Sequence, residues 1–186
     1  MKRLLGFVLL AASVAASADW KDDVKKMIPL LGHRNWIVVA DSAYPAQNSS
    51  GIVTIVTNAN QKEVVEFVLQ ELGMAKHVSP IIHLDREIDF VPEDDAPGIN
   101  SYKQWLDGMM KGKSSKKENH EDIIKKLDEA GKTFKVLILK TDFTVPYTSV
   151  FCELDCAYWG SEKETRMRKR MDPKSLAEFA RLMMGF

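Results

Sequence analysis

The sequence alternates short, β-branched apolar runs with amphipathic stretches of helical length, and this order admits few folds. Strand-like runs cover Trp36–Ala40, Gly51–Thr57, Val78–Leu84, Phe134–Lys140 and Tyr147–Trp159. Helical patterns cover Asp22–Leu31, Asn60–Leu72, Pro97–Met110 and His120–Ala130. In the clearest of these, Val64, Val65, Phe67, Val68 and Leu72 form an apolar stripe, Glu63, Glu66 and Gln70 form the opposite face, and Gly73 follows the last turn. Pro80 interrupts the third strand and predicts an irregular start or an edge position there. Lys111–Asn119 reads as a solvated loop. Strands alternating with helices predict a layered α/β domain with helices packed on a central sheet. The chain has neither an internal repeat nor a domain linker.

The first residues do not share this pattern. Lys2 and Arg3 precede the apolar run LLGFVLLAASVAA, and Ala16-Ser17-Ala18 follows it. That is the layout of a secretory signal peptide over residues 1–18, with cleavage expected after Ala18 and Asp19 the first mature residue. The competing reading, an N-terminal helix of the fold, lacks the polar face such a helix needs. No cysteine stands at the cleavage point for a lipid anchor. The expectation is therefore export, with the bacterial periplasm the destination. Nothing after residue 18 is long and apolar enough to span a bilayer.

Charge narrows the function classes. Of 186 residues, 26 are Lys or Arg and 26 Asp or Glu, so the formal net charge is zero. A nucleic-acid partner is not expected, because binding polyphosphate calls for a basic excess. The local basic run RMRKR, Arg166–Arg170, reads as a solvated linker into a last helix rather than as a polyanion or lipid patch. That helix is expected from Asp172, with Asp172 as N-cap and Pro173 in the first turn. Trp105 and Trp159 hold helix-face and strand-end positions suited to core or subunit contacts.

Cys152 and Cys156 lie in one strand-like run. Residues four apart on a strand are about 13 Å apart, and a disulfide needs Cα atoms within about 7 Å. Two small apolar core residues are expected rather than a bridge. A metal pair is weaker still, because no nearby His or Cys completes a ligand set. His83, Asp85 and Glu87 alternate along IIHLDRE and share a strand face. They read as surface or structural groups, a polar pocket wall or a weak metal site, and His77 six residues earlier does not make the spacing diagnostic.

The stretch LGHRNWIVVADSAYP, Leu31–Pro45, holds the sharpest question. His33 stands before, and Asp41 after, a strand expected to be buried on both faces. In α/β sheets, ligand-binding groups gather where loops diverge at strand ends. Read locally, Asp41 caps the turn ahead of Pro45, and His33 is a hydrogen-bonding loop imidazole. A carboxylate buried there without partners would have a raised pKa.

GHRNWIVVADSAYP resembles the signature of the D-ribose pyranase and L-fucose mutarotase family, RbsD/FucU-like, in which Gly-His, an apolar strand and Asp-Ala-x-x-Pro follow in this order. KVLILKTDFTVPYTSVFCELDCAYW resembles that family's closing segment, where an apolar strand leads through a polar turn to Pro-Tyr-x-Asn and a final strand. The resemblance runs from Trp20 to Trp159. It implies an RbsD-like three-layer α/β/α domain over residues 19–159, with residues 160–186 as a C-terminal extension. It implies that His33 is the catalytic proton donor, and that Asp41, His120, Tyr147 and the residue at position 149 bind a monosaccharide. Ser149 stands where the family has Asn, which leaves one hydroxyl in place of an amide's paired donor and acceptor. The signal peptide and the tail after Trp159 also depart from the family pattern.

The implied reaction interconverts anomers or ring forms of a free sugar. A base removes the anomeric hydroxyl proton and an acid protonates the ring oxygen, so no metal or organic cofactor is required. Imidazole suits either role, since its ordinary pKa of about 6.5 is near neutrality. Tyr147 adds an apolar face and a phenol for the sugar ring. The family implies a ring-like homo-oligomer, up to a decamer. The alternative is an exported sugar-binding or assembly protein of the same fold without catalysis. Outside carbohydrates stands an exported metal or redox protein using His77, His83 and the cysteines.

Overall fold

A computed structural model describes residues 19–171 together with Arg181 and Met183. The expected signal peptide and the helix expected from Asp172 fall outside the described residues.

Six strands form one sheet in the order β2-β5-β1-β6-β3-β4. The order follows from burial. β1 (Trp36–Ala40) and β5 (Val136–Lys140) are the most continuously apolar runs and lie inside the sheet, with all five residues of β1 buried. β2 (Ile52–Val56) is half exposed and forms one edge. β3 (Val78–Asp85) and β6 (Val150–Cys156) complete the interior. β1 is parallel to β5 and antiparallel to β6, and β3 is antiparallel to β6. With β2 parallel to β5 and β4 to β3, only β6 runs against the rest. The ends of five strands and the beginning of β6 therefore meet along one border of the sheet.

Pleating sorts the strand residues between two cores. Ile37, Val39, Leu137, Leu139, Ile82, Leu84 and Cys152 pack with α1 (Trp20–Met27), α2 (Gln61–Met74) and α3 (Ile99–Met110). Trp36, Val38, Val136, Ile138 and Phe151 pack with Ile123 and Leu127 of α4 (His120–Thr133) on the other face. This is the expected three-layer α/β/α arrangement, with three helices on one side and one on the other.

The boundaries shift for identifiable reasons. The first helix starts at Trp20, capped by the Asp19 carboxylate on the Lys21 N–H, and tightens to a 3-10 turn at Ile28–Leu30, where Pro29 sits. Gly131 does not end α4. It lies inside the helix, and a Cβ there would meet the Ile52 side chain at 3.0 Å, while a Cβ at Gly51 would meet the Gly131 carbonyl oxygen at 2.1 Å. The two glycines thus let α4 approach the start of β2. Pro80 occupies the part of β3 paired only with β6, before pairing with β4 begins at Ile82.

Two expectations are corrected. Lys111–Asn119 is not all loop, because Ser115–Glu118 forms β4. Its lysines gave no apolar signal, but a polar strand suits an exposed edge. Arg166–Arg170 is not a linker: it lies in α5 (Ser161–Met171), an exposed helix with i,i+4 pairs Glu162–Arg166 and Glu164–Arg168.

Cys152 and Cys156 both lie on β6 and form no disulfide. Cys152 is fully buried, and burial pushes its thiol up to about 12. Cys156 is half-buried. A thiol reagent should titrate one group per native chain, Cys156, and a second only after unfolding without reductant.

Candidate functional site

The polar residues that follow β1, β3 and β5, and that precede β6, converge on a cavity of about 510 Å³. Asp41, Asp85, His120, Glu121, Tyr44 and Tyr147 are among its lining residues. Strand direction places it there, since this border collects the diverging loops.

Asp41 follows β1 directly. Its Oδ1 accepts from the Ala43 N–H at 2.8 Å, so the expected turn cap is present, and the same carboxylate lines the cavity. The Ser149 hydroxyl donates to Asp41 Oδ2 at 3.4 Å. Ser149 is buried and does not line the cavity; it stands behind Asp41 and steadies it.

Asp85 closes β3 and is 1% exposed. Its Oδ1 lies 3.0 Å from His120 Nδ1. The other oxygen, Oδ2, is buried without a hydrogen-bond partner among the described residues. Burial pushes the Asp85 carboxyl up, with the His120 hydrogen bond opposing it. His120 opens α4, where its backbone N–H donates to both oxygens of Glu87 at 3.0 and 3.1 Å. That carboxylate serves an N–H which the helix itself leaves without a partner. The Asp85 hydrogen bond holds the His120 imidazole above its ordinary value, against burial. With Nδ1 engaged by Asp85, Nε2 is the nitrogen left for a ligand. A carboxylate behind an imidazole fixes its tautomer and stabilises its cation, the arrangement acid–base catalysis uses.

Tyr147 has a φ of +57°, a left-handed conformation unfavourable for a bulky residue. Its neighbour enforces it. The Thr148 hydroxyl donates to the Val145 carbonyl at 2.7 Å, and the Thr148 carbonyl accepts from Gln61 Nε2 at 2.8 Å and from the Tyr102 hydroxyl at 2.7 Å. The Tyr147 ring then meets His120 edge-on, centroids 5.8 Å apart at 82°.

Gln61 is fully buried at the start of α2. Besides Thr148 it reaches the Val39 carbonyl, and it accepts from the Thr141 hydroxyl at 2.7 Å. The Thr141 backbone N–H donates to the Ala40 carbonyl at 2.9 Å. Three strand-end segments are thereby joined to α2 under the cavity.

The structure brings Asp41, His120 and Tyr147 together at this cavity and sets Ser149 behind it. It places His33 at the other border of the sheet, exposed in the turn before β1. β1 alone separates it from Asp41 by roughly 13 Å. Within one chain His33 does not reach the cavity. The turn is held by the Arg34 N–H on the Leu154 carbonyl, with Arg34 at a φ of +73°.

Asp85, Glu87 and Gln61 were not identified as site residues from sequence. The IIHLDRE alternation contained the first two, but only the return of α4 onto β3 shows their use. His83 does share the Asp85 face. It is fully buried, with Nδ1 2.5 Å from Glu118 and Nε2 3.0 Å from Glu153, and pins β3 to both neighbours without lining the cavity. His77 Nε2 is held by the Ile28 and Leu31 carbonyls. Among the described residues, no group of three or more His, Cys, Asp or Glu is placed to hold a metal ion. No described helix is long and apolar enough to cross a membrane.

The sheet order and the carboxylate–imidazole cavity define a single-sheet α/β protein with a polar strand-end site. No protein-family model matches the sequence, and no curated protein matches it. The fold is RbsD-like: Bacillus subtilis RbsD complexed with D-ribose superposes with a TM-score of 0.50 at 17% identity, over 83% of this chain and 98% of that one. A fucose mutarotase from Streptococcus pneumoniae, in complex with L-fucose, matches at 21% identity over 72% of this chain and 91% of its own, TM-score 0.47. FucU from Bifidobacterium longum matches at 12% identity over 72% and 94%, TM-score 0.47.

Replacing Asp85 with Asn should lower the His120 pKa, because the charged partner is lost; an NMR titration of the imidazole protons reads this directly. In the wild type, protonated His120 favours the folded state. That contribution is full below about pH 6.5 and is lost as pH rises through the higher folded value.

Proposed function

We propose that this protein interconverts anomers or ring forms of a free monosaccharide by acid–base catalysis. The Asp85–His120 pair, facing a cavity shared with Asp41 and Tyr147, carries the reading. Imidazolium His120 donates from Nε2 to the sugar ring oxygen while the Asp41 carboxylate takes the anomeric hydroxyl proton, and both protons return when the ring closes. Asp85 stabilises the cation and fixes its orientation. Asp41 accepts hydrogen bonds from sugar hydroxyls, and Tyr147 offers its ring face and phenol. The solved structures with D-ribose and L-fucose support a monosaccharide as the ligand class.

His33 takes part as a further acid–base group only if a second copy of the chain presents it to the cavity. We therefore place the protein in a homo-oligomer in which each site combines one chain's Asp41, Asp85 and His120 with a neighbour's His33. The apolar run and Ala16-Ser17-Ala18 support export to the periplasm. Sequencing the mature N-terminus should then find Asp19.

Saturation-transfer NMR on equilibrated ribose, fucose, galactose and glucose should show exchange above the uncatalysed rate. His120→Ala and His33→Ala should each reduce it by about 10²–10⁴-fold. Chains of the two variants, mixed and reassembled, should recover part of the activity. Binding without exchange in the wild type would make the protein a sugar-binding protein instead. Wild-type exchange rates in both variants would remove the catalytic assignment.

A further inference from the structure

The cavity lining is asymmetric in charge and in hydrogen-bonding sense. Asp41, Asp85 and Glu121 supply three carboxylates, and neither Lys nor Arg lines the cavity. His120 is the one ionisable base among the lining residues, and its Nδ1 is already committed to Asp85. Lys140 ends β5 nearby, but its Nζ is tied to the Tyr44 carbonyl at 2.8 Å. Ionised carboxylates only accept hydrogen bonds.

The three carboxylates are not equally occupied. Asp41 is held by Ala43 and Ser149, and Asp85 Oδ1 by His120. Asp85 Oδ2 is buried beside the cavity with no donor among the described residues. Glu121, in the first turn of α4, is exposed at the cavity and has no hydrogen bond or ion pair among the described residues. Acceptor capacity thus exceeds what the protein itself supplies. A phosphate or carboxylate on a ligand would add acceptors and negative charge to a lining that already has both. A hydroxyl brings one donor. An ammonium brings three donors and no acceptor.

We propose that the preferred ligand is an amino sugar, a monosaccharide whose ring carries a protonated amine, with Glu121 as the carboxylate that receives the ammonium. This rests on the monosaccharide reading above and narrows its substrate class. Sugars with a phosphate or a carboxylate are excluded by the same charges.

The test compares affinities at a pH where the amine is protonated. Glucosamine and galactosamine are titrated into the full chain beside glucose and galactose, N-acetylglucosamine, glucose 6-phosphate and glucuronate, followed by NMR or calorimetry. Each amino sugar should bind about tenfold tighter than its neutral parent, equivalent to about 1.4 kcal/mol. N-acetylation should cancel the gain, added salt should shrink it, and the two anionic sugars should not bind. Glu121→Gln should narrow the ratio of the amino to the neutral affinity. Neutral parents binding as tightly as the amino sugars, or glucose 6-phosphate binding as well as glucose, would overturn the proposal and leave the monosaccharide reading standing. An amine preference unaltered in Glu121→Gln would overturn the role of Glu121. Absence of binding by any sugar, whatever its charge, would overturn both.

Discussion

The site depends on one buried amide. Gln61 lies where α2 meets the sheet, and its side chain bonds the Val39 carbonyl, the Thr148 carbonyl and the Thr141 hydroxyl. An amide is suited to this place because it donates and accepts at once. β1 and β5 end here and β6 begins here, so three backbone segments would otherwise diverge around buried polar groups. Leaving such groups without partners costs about 1–3 kcal/mol each. The network instead fixes the turn that holds Tyr147 in its left-handed conformation. The geometry of the cavity wall is set from below, by residues that do not line the cavity.

Much of the fold was legible because its signals are local. The apolar run Trp36–Ala40, the stripe of α2 and the β-branched residues of β2 each declare an element by their own periodicity. β4 was not legible, because it pairs through its backbone, Ser115–Lys117 face water, and Glu118 turns in only to meet His83. The helical state of Arg166–Arg170 was hidden for a related reason: its pattern is charge pairing, with no apolar stripe to count.

The cavity was partly legible. Asp41 entered by its place at a strand end, His120 and Tyr147 through a family resemblance, and the three meet in space. Asp85 and Glu87 were seen only as an alternation along a strand. Their value comes from residues 33–35 positions away, since one orients the His120 ring and the other anchors its backbone. Ser149 illustrates the same limit. Its position was identified, but that it backs Asp41 rather than facing the cavity depends on where β6 begins. His33 and Asp41 are eight residues apart, yet the strand between them sends them to opposite borders of the sheet.

The pairing of β1 has a consequence for how the chain acquires its structure. β1 is the central strand, and it bonds only to β5 and β6: Trp36 stands beside Val136 and Glu153. No neighbour within the first hundred residues can satisfy it. Contacts of such sequence separation are slow to form, because a long loop must close before any of them is rewarded. The N-terminal apolar segment must therefore wait until nearly the whole domain has been synthesised. Cooperative folding begins only once residues near 156 are available. Until then β1 has no strand to pair with, and the cavity, built from the same late-arriving strands, is among the last parts to assemble.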